Sequence, residues 1–196
     1  MNNSAQAMYA LNLDQCVELI KAVGSKRTIL AQGDMGNGKT SMINTLAEQL
    51  PTHRPIYFDG TTKDLGDIMI PSMQSIETDG CVRIEGPIIL MLDEYGKANP
   101  AVKNAMLRLM LERKVGSYSL HPDSIVFATT NKGSEGVGDM IPPHARNRMT
   151  VVQIRKTDHM DWIEWGINND VDHTLLGWVK DNPHLMASFE DVKDPD

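Results

Sequence analysis

Apolar positions along the 196 residues change period several times, and the changes divide the chain into elements. Cys16, Val17, Leu19, Ile20 and Val23 fall on one helical face, and Asn12 with Gln15 three positions later has the spacing of a capping box. An amphipathic helix is therefore expected between Asn12 and Gly24. Residues 28–32 read as a buried strand that runs directly into a glycine-rich loop. Helical spacing returns with Ile43, Leu46, Ala47 and Leu50 and stops at Pro51. A second short strand is expected at residues 55–58, followed by polar Asp59-Gly60-Thr61-Thr62-Lys63 and a turn-rich stretch to Pro71. Asp79-Gly80, flanked by Ile76, Val82 and Ile84, predicts a projecting β-hairpin within residues 72–87.

Residues 88–92 are all apolar, the pattern of a parallel strand covered on both faces, and they end in Asp93-Glu94. Asn99-Pro100 then supplies a helix cap and a first-turn proline, with Val102, Ala105, Met106, Leu109 and Met110 as the inward stripe. Residues 124–129 form another buried strand ending in Thr130-Asn131, and residues 151–154 close the series. Strands alternating with helices predict an α/β fold with a mostly parallel central sheet between helical layers. From Lys156 the texture changes. Trp162, Trp165, Ile167, Val171, Leu175, Leu176 and Trp178 predict two short helices around Asn168-Asn169-Asp170. The chain thus divides into an α/β domain over residues 1–155 and the start of a small helical subdomain over residues 156–196, its last residues frayed.

Composition narrows the function. Forty-one per cent hydrophobic and 23% charged residues suit a soluble globular chain, and 26 acidic against 19 basic residues give a formal charge of -7. Such a balance disfavours general binding to nucleic acid. Cys16 and Cys81 lie far apart and outside metal-ligand spacing, as expected of reduced thiols in the cytoplasm. No stretch has the apolar length of a membrane span or the shape of a signal peptide. The six histidines, His53, His121, His144, His159, His173 and His184, also lack metal-ligand spacing. Trp162 and Trp165, three apart, suit a packing face better than a base-stacking platform.

The chemistry is concentrated in Gly33-Asp34-Met35-Gly36-Asn37-Gly38-Lys39-Thr40, which fits the phosphate-loop motif at every defining position. Its glycines let backbone N–H groups wrap phosphate oxygens, and the following helix presents its positive end to the same anion. Lys39 is expected to serve the β- and γ-phosphates, Thr40 a Mg²⁺ ion, and Ser41 the end of the nucleotide cradle. Asp93 and Glu94 stand at the carboxyl end of a buried strand, where an open α/β sheet places its ligand crevice. There Asp93 would hold Mg²⁺ through water and Glu94 would polarise the attacking water. Asn131 would lie beside Glu94 and fix that water; a simple turn residue is the alternative. Arginines supplied by a neighbouring subunit stabilise phosphoryl transfer, and Arg148, then Arg146, are the candidates, with surface ion pairing as their alternative.

Taken together, the phosphate loop, Leu92-Asp93-Glu94, Thr130-Asn131 and the arginine pair resemble the AAA+ ATPases in order and kind. The finer texture is similar to the MoxR branch: Asp64-Leu65-Gly66 before the hairpin, Asn99-Pro100 after the acidic pair, Val115-Gly116-Ser117-Tyr118 leading through Pro122 to the next strand, and Pro142-Pro143 before Asn147-Arg148-Met149. The branch usually has Arg-Phe where this chain has Arg148-Met149. The resemblance implies a P-loop three-layer sandwich, ATP with Mg²⁺, and a ring, usually a hexamer, in which Arg148 reaches a γ-phosphate held by the next subunit's Lys39. It also implies chaperone-like remodelling of a protein partner, such as one with a von Willebrand factor A domain, with the hairpin or the loop around Gly116 facing substrate. The family's helical lid carries a second sensor arginine; none is evident here, so a truncated or minimal lid is expected. Two other readings stay open: a DNA-associated motor using a basic edge of Arg108, Arg113 and Lys114, and an ATP-controlled assembly module with little turnover.

Overall fold

A computed structural model describes residues 10–34, 36–62, 86–115, 118–131 and 148–186. The chain forms two compact units that divide between Arg155 and Lys156. The first is built on a six-stranded sheet of β1 (Ala10–Leu11), β2 (Thr28–Gly33), β3 (Arg54–Asp59), β4 (Ile88–Asp93), β7 (Ile125–Asn131) and β8 (Met149–Ile154), in the spatial order β1-β8-β2-β7-β4-β3. Every pairing in it is parallel. Two-residue strands β5 (Lys114–Val115) and β6 (Tyr118–Ser119) pair antiparallel beside it. They flank the Gly116 loop, which lies outside the described residues, as do residues 72–85 of the hairpin expected within 72–87.

Strand alternation assigns each side chain to one of two helical layers. Ile29, Ala31, Ile89, Met91 and Phe127 pack with Cys16, Val17 and Ile20 of α1 (Leu13–Val23) and with Met42, Ile43 and Leu46 of α2 (Met42–Gln49). Leu30, Leu90, Leu92, Val126 and Ala128 point the other way, onto Val102, Met106, Leu109 and Met110 of α3 (Pro100–Glu112). Central strands covered on both faces must be apolar throughout, which is why β4 is buried at all six positions.

The helix ends follow from local chemistry. Asn12 Oδ1 accepts from Gln15 N at 2.8 Å while Gln15 Oε1 accepts from Asn12 N at 3.0 Å, the reciprocal capping box. Asn99 caps α3 by accepting from Val102 N. At the far end of α3, Arg113 takes a left-handed conformation (φ 56°), and its guanidinium donates to Gly24 O at 2.9 Å and Ser124 O at 3.3 Å. Burial depresses its pKa to about 10. Arg108 in turn lies 3.5 Å from Glu112. The basic edge expected of Arg108, Arg113 and Lys114 is therefore corrected: Arg113 is spent inside the fold and Arg108 has an acidic neighbour.

The second unit contains α4 (His159–Asn168), α5 (His173–Asp181) and a 3₁₀ turn, Pro183–Met186. Asp158 and Asp172 cap the two helices. Trp162 and Trp165 pack as a tilted pair with centroids 6.5 Å apart. Among the described residues, no helix is long and apolar enough to cross a membrane.

Candidate nucleotide site

Parallel strands all deliver their carboxyl ends to one edge of the sheet, and the candidate residues gather there. Asn131 ends β7 opposite Gly33 of β2, and Asp93 ends β4 opposite Asp59 of β3. From Gly33 the chain turns through the glycine-rich loop into a 3₁₀ turn, Lys39–Ser41, and then α2. Gly36 (φ 78°) and Gly38 (φ 71°) adopt left-handed conformations that side chains resist, so the loop's shape depends on glycine at both places. Asn37 is buried, and among the described residues its Nδ2 has no hydrogen-bond partner. An unspent buried donor in a loop of backbone N–H groups suits an anionic ligand.

Lys39 is only 8% exposed. Its ammonium donates to Gly33 O at 2.8 Å, Asp34 O at 2.7 Å and Asn131 Oδ1 at 2.7 Å, which uses all three protons. Burial lowers its pKa, opposed by the charges of Glu94, Asp93 and Asp34. A phosphate would thus meet a cation already held at the mouth of the loop.

Asp93 is 6% exposed and fully committed. Its Oδ1 accepts from Thr129 Oγ1 and, at 3.0 Å, from Glu94 N. Its Oδ2 accepts from Thr40 Oγ1 at 3.2 Å and Tyr57 OH at 2.9 Å. A hydroxyl beside a buried carboxylate is a donor set for a hard divalent cation, so Thr40 and Asp93 fit Mg²⁺. Among the described residues, no cluster of three or more His, Cys, Asp or Glu could hold a metal ion by itself. The Tyr57 hydroxyl titrates above the usual tyrosine range, because it is locally desolvated beside Asp93, although the residue as a whole is half exposed, and because it hydrogen-bonds to that carboxylate.

Glu94 sits at φ 52°, ψ 38°, a left-handed conformation uncommon for a residue with a side chain and often found at functional sites. Its Oε1 accepts from Asn131 Nδ2 at 2.7 Å, and its Oε2 lies 3.1 Å from Lys97 Nζ. One amide therefore joins Lys39 to Glu94. Ser41 turns its hydroxyl back to Gly38 O at 2.7 Å and stabilises the loop rather than reaching outward.

Met35 and Arg146 lie outside the described residues. Arg148 is exposed and directly precedes β8, whose first residue, Met149, pairs with Thr28 at the start of β2. Five residues of strand, about 17 Å, separate that end from Gly33. Arg148 is thus not brought to the cluster of its own chain. Tyr57, Thr129 and Lys97 were not among the residues singled out from sequence. Thr129 was findable as a polar side chain inside an apolar strand, since buried polar groups need partners; Lys97 and Tyr57 carry no comparable signal.

No protein-family model matches the chain. It is 33% identical over 144 residues to the protein MoxR of Paracoccus denitrificans, covering 66% of this chain and 41% of that protein. Against MoxR of Methylorubrum extorquens it is 27% identical over 149 residues, covering 69% and 43%. It is also 26% identical over 192 residues to a midasin of Giardia intestinalis, covering 89% of this chain and 4% of midasin. The chain therefore spans less than half the length of each of these relatives. In fold it is similar to NtrX of Brucella abortus in complex with ADP (TM-score 0.51, 18% identity, 86% of this chain and 41% of that one). The RuvB Holliday junction branch migration motor of Thermotoga maritima is similar too (TM-score 0.51, 16% identity, 78% and 47%). In sequence the chain is thus similar to two MoxR proteins, and its parallel α/β sheet has the P-loop fold of AAA+ proteins such as NtrX and RuvB.

Proposed function

We propose that the protein binds ATP with Mg²⁺ at the carboxyl edge of its sheet and hydrolyses it to ADP and phosphate. The observation that carries this reading is the Asn131 bridge, which links the phosphate-loop cation Lys39 to the candidate base Glu94 through one amide. Lys39 exchanges its carbonyl contacts for β- and γ-phosphate oxygens, with backbone N–H groups of the loop around them. Mg²⁺, held by Thr40 and Asp93, supplies positive charge to the phosphate oxygens when bound. Glu94 orients a water and accepts its proton as the water oxygen bonds to the γ-phosphorus. The bond from that phosphorus to the bridging oxygen breaks, and the oxygen leaves with ADP.

The position of Arg148 supports shared sites. An arginine at the opposite end of the sheet from Gly33 can act on a phosphate only in another copy of the chain. We therefore read the active form as a ring, with residues 156–196 as the start of a small lid, that acts in the cytoplasm on a protein partner such as a von Willebrand factor A domain. The overall acidity and the engagement of Arg113 favour a protein partner over DNA. Phosphate release from ATP by the purified protein, dependent on Mg²⁺ and lost in Glu94→Gln, is the expected result. Equal release by wild type and Glu94→Gln would sink the hydrolytic reading.

The alternative is an ATP-controlled assembly module with little turnover, in which Lys39 and Glu94 keep their partners Asn131 and Lys97. Oligomers induced by a nonhydrolysable ATP analogue, without single-turnover hydrolysis, would select it.

A further inference from the structure

Two of the four donors on Asp93 have no part in the reading above. Thr129 comes from β7 on one side of β4, and Tyr57 comes from β3 on the other. The register explains how they converge. Asp59 is the registered partner of Asp93, so Tyr57, two positions earlier, projects on the same face. Its OH must reach forward along the strand by about 7 Å, which suits the length of a tyrosine. On the other flank Leu92 pairs with Ala128, which sets Thr129 beside Asp93.

Core packing does not explain why a tyrosine stands at position 57. The side chain is 47% exposed on an edge strand, and its specific contact is the hydroxyl on Asp93 Oδ2. Thr40 shares that oxygen. When the Thr40 hydroxyl turns to a cation, Oδ2 loses that donor, and Tyr57 remains to hold it. Thr129 and the Glu94 amide hold Oδ1 in either state.

We propose that Tyr57 is a positioning residue for Asp93, clamping the carboxylate from the β3 side so that it meets the divalent cation of a bound nucleotide in one orientation. Tyr57 thereby sets the affinity of the site for that cation, while nucleotide binding without metal does not depend on it. This rests on the site taking a Mg²⁺–nucleotide pair.

The test measures binding of a fluorescent ATP analogue by the full chain as Mg²⁺ is titrated, in wild type and in Tyr57→Phe, which keeps the ring and removes the donor. Affinity in EDTA should be unchanged, whereas the Mg²⁺ concentration giving half the metal-dependent gain should rise about tenfold, the effect of one hydrogen bond to a charged group. Electron paramagnetic resonance of Mn²⁺ with ADP should show the same weakening, and Thr129→Val should shift both readouts in the same direction. Identical metal titrations for wild type and Tyr57→Phe would overturn the assignment, as would equal loss of affinity with and without metal. A wild type that binds nucleotide without any Mg²⁺ dependence would instead overturn the functional reading beneath it.

Discussion

Replacing Asn131 by alanine tests the central link of the site. The side chain accepts from Lys39 Nζ and donates to Glu94 Oε1, both at 2.7 Å, so the change removes two hydrogen bonds to charged groups. When buried, such bonds contribute roughly 1.5–3 kcal/mol each, net of the hydrogen bonds to water that they replace. Solvent reduces the loss, because the Glu94 side chain is 25% exposed and retains Lys97, and Lys39 retains Gly33 O and Asp34 O. About 1 kcal/mol of stability is the expected cost, a fall in Tm of about 2–4 °C for a chain of this size. Catalysis should suffer more. Losing one preorganised donor at a reacting centre costs about 10²–10³ in kcat, roughly 2.7–4 kcal/mol. Steady-state phosphate release with a parallel thermal melt separates the two effects. A kcat within threefold of wild type, with nucleotide still bound, would refute the bridge as part of the machinery. A collapse in Tm larger than the loss in kcat would make it a structural brace.

Other outcomes follow from the same geometry. Lys39→Met should abolish nucleotide binding and also alter the pH dependence of stability. The folded state lowers the Lys39 pKa, so the unfolded chain binds more protons between that value and 10.5, and wild-type stability gains with rising pH across that window; urea titrations of the variant should lack this gain. Leu46→Ala, at a fully buried position under the sheet, should cost about 2–5 kcal/mol by urea unfolding. Gly24→Ala would place a Cβ 2.3 Å from Ile20 O and 2.8 Å from Ile125 Cγ2, so a loss of about 1–3 kcal/mol is expected, and an unchanged midpoint would contradict the contact. Mixing Arg148→Ala with Lys39→Met should recover phosphate release that neither variant shows alone, because each supplies what the other lacks.

Much of the fold was legible because its signals are local. Asn12 and Gln15 announce the first turn of α1 through side chains that bond only to nearby backbone, and Asn99-Pro100 does the same for α3. The apolar run of β4 needs no partner to be recognised. By contrast, β1 has two residues, too few for any period, and exists through pairing with Gln153 and Ile154 of β8. The site divides along the same line. Lys39, Thr40, Asp93 and Glu94 stand in motifs, whereas Tyr57 and Thr129 act through the register of three parallel strands that are distant in sequence. Arg113 shows the converse error. A cluster of basic letters suggested a surface, but left-handed closure of α3 turned one of them inward to cap two loops.

The chemical identity of residue 131 carries the deepest constraint. The group between an ammonium and a carboxylate must accept from one and donate to the other, and it must do so from the end of a strand with a short side chain. Aspartate has no proton for Glu94 when ionised, and serine offers one hydroxyl where two separated atoms are required. Glutamine has the right amide on a longer, freer stem. Asparagine therefore couples the state of Lys39 to that of Glu94. A phosphate that draws Lys39 from Asn131 Oδ1 frees the amide to turn, and that turn changes the hydrogen bond on Glu94 Oε1. Lys97 holds the other oxygen meanwhile, which keeps the carboxylate near its place while its partner moves. In the proposed reaction, occupancy of the phosphate loop and orientation of Glu94 would thus be two readings of one side chain.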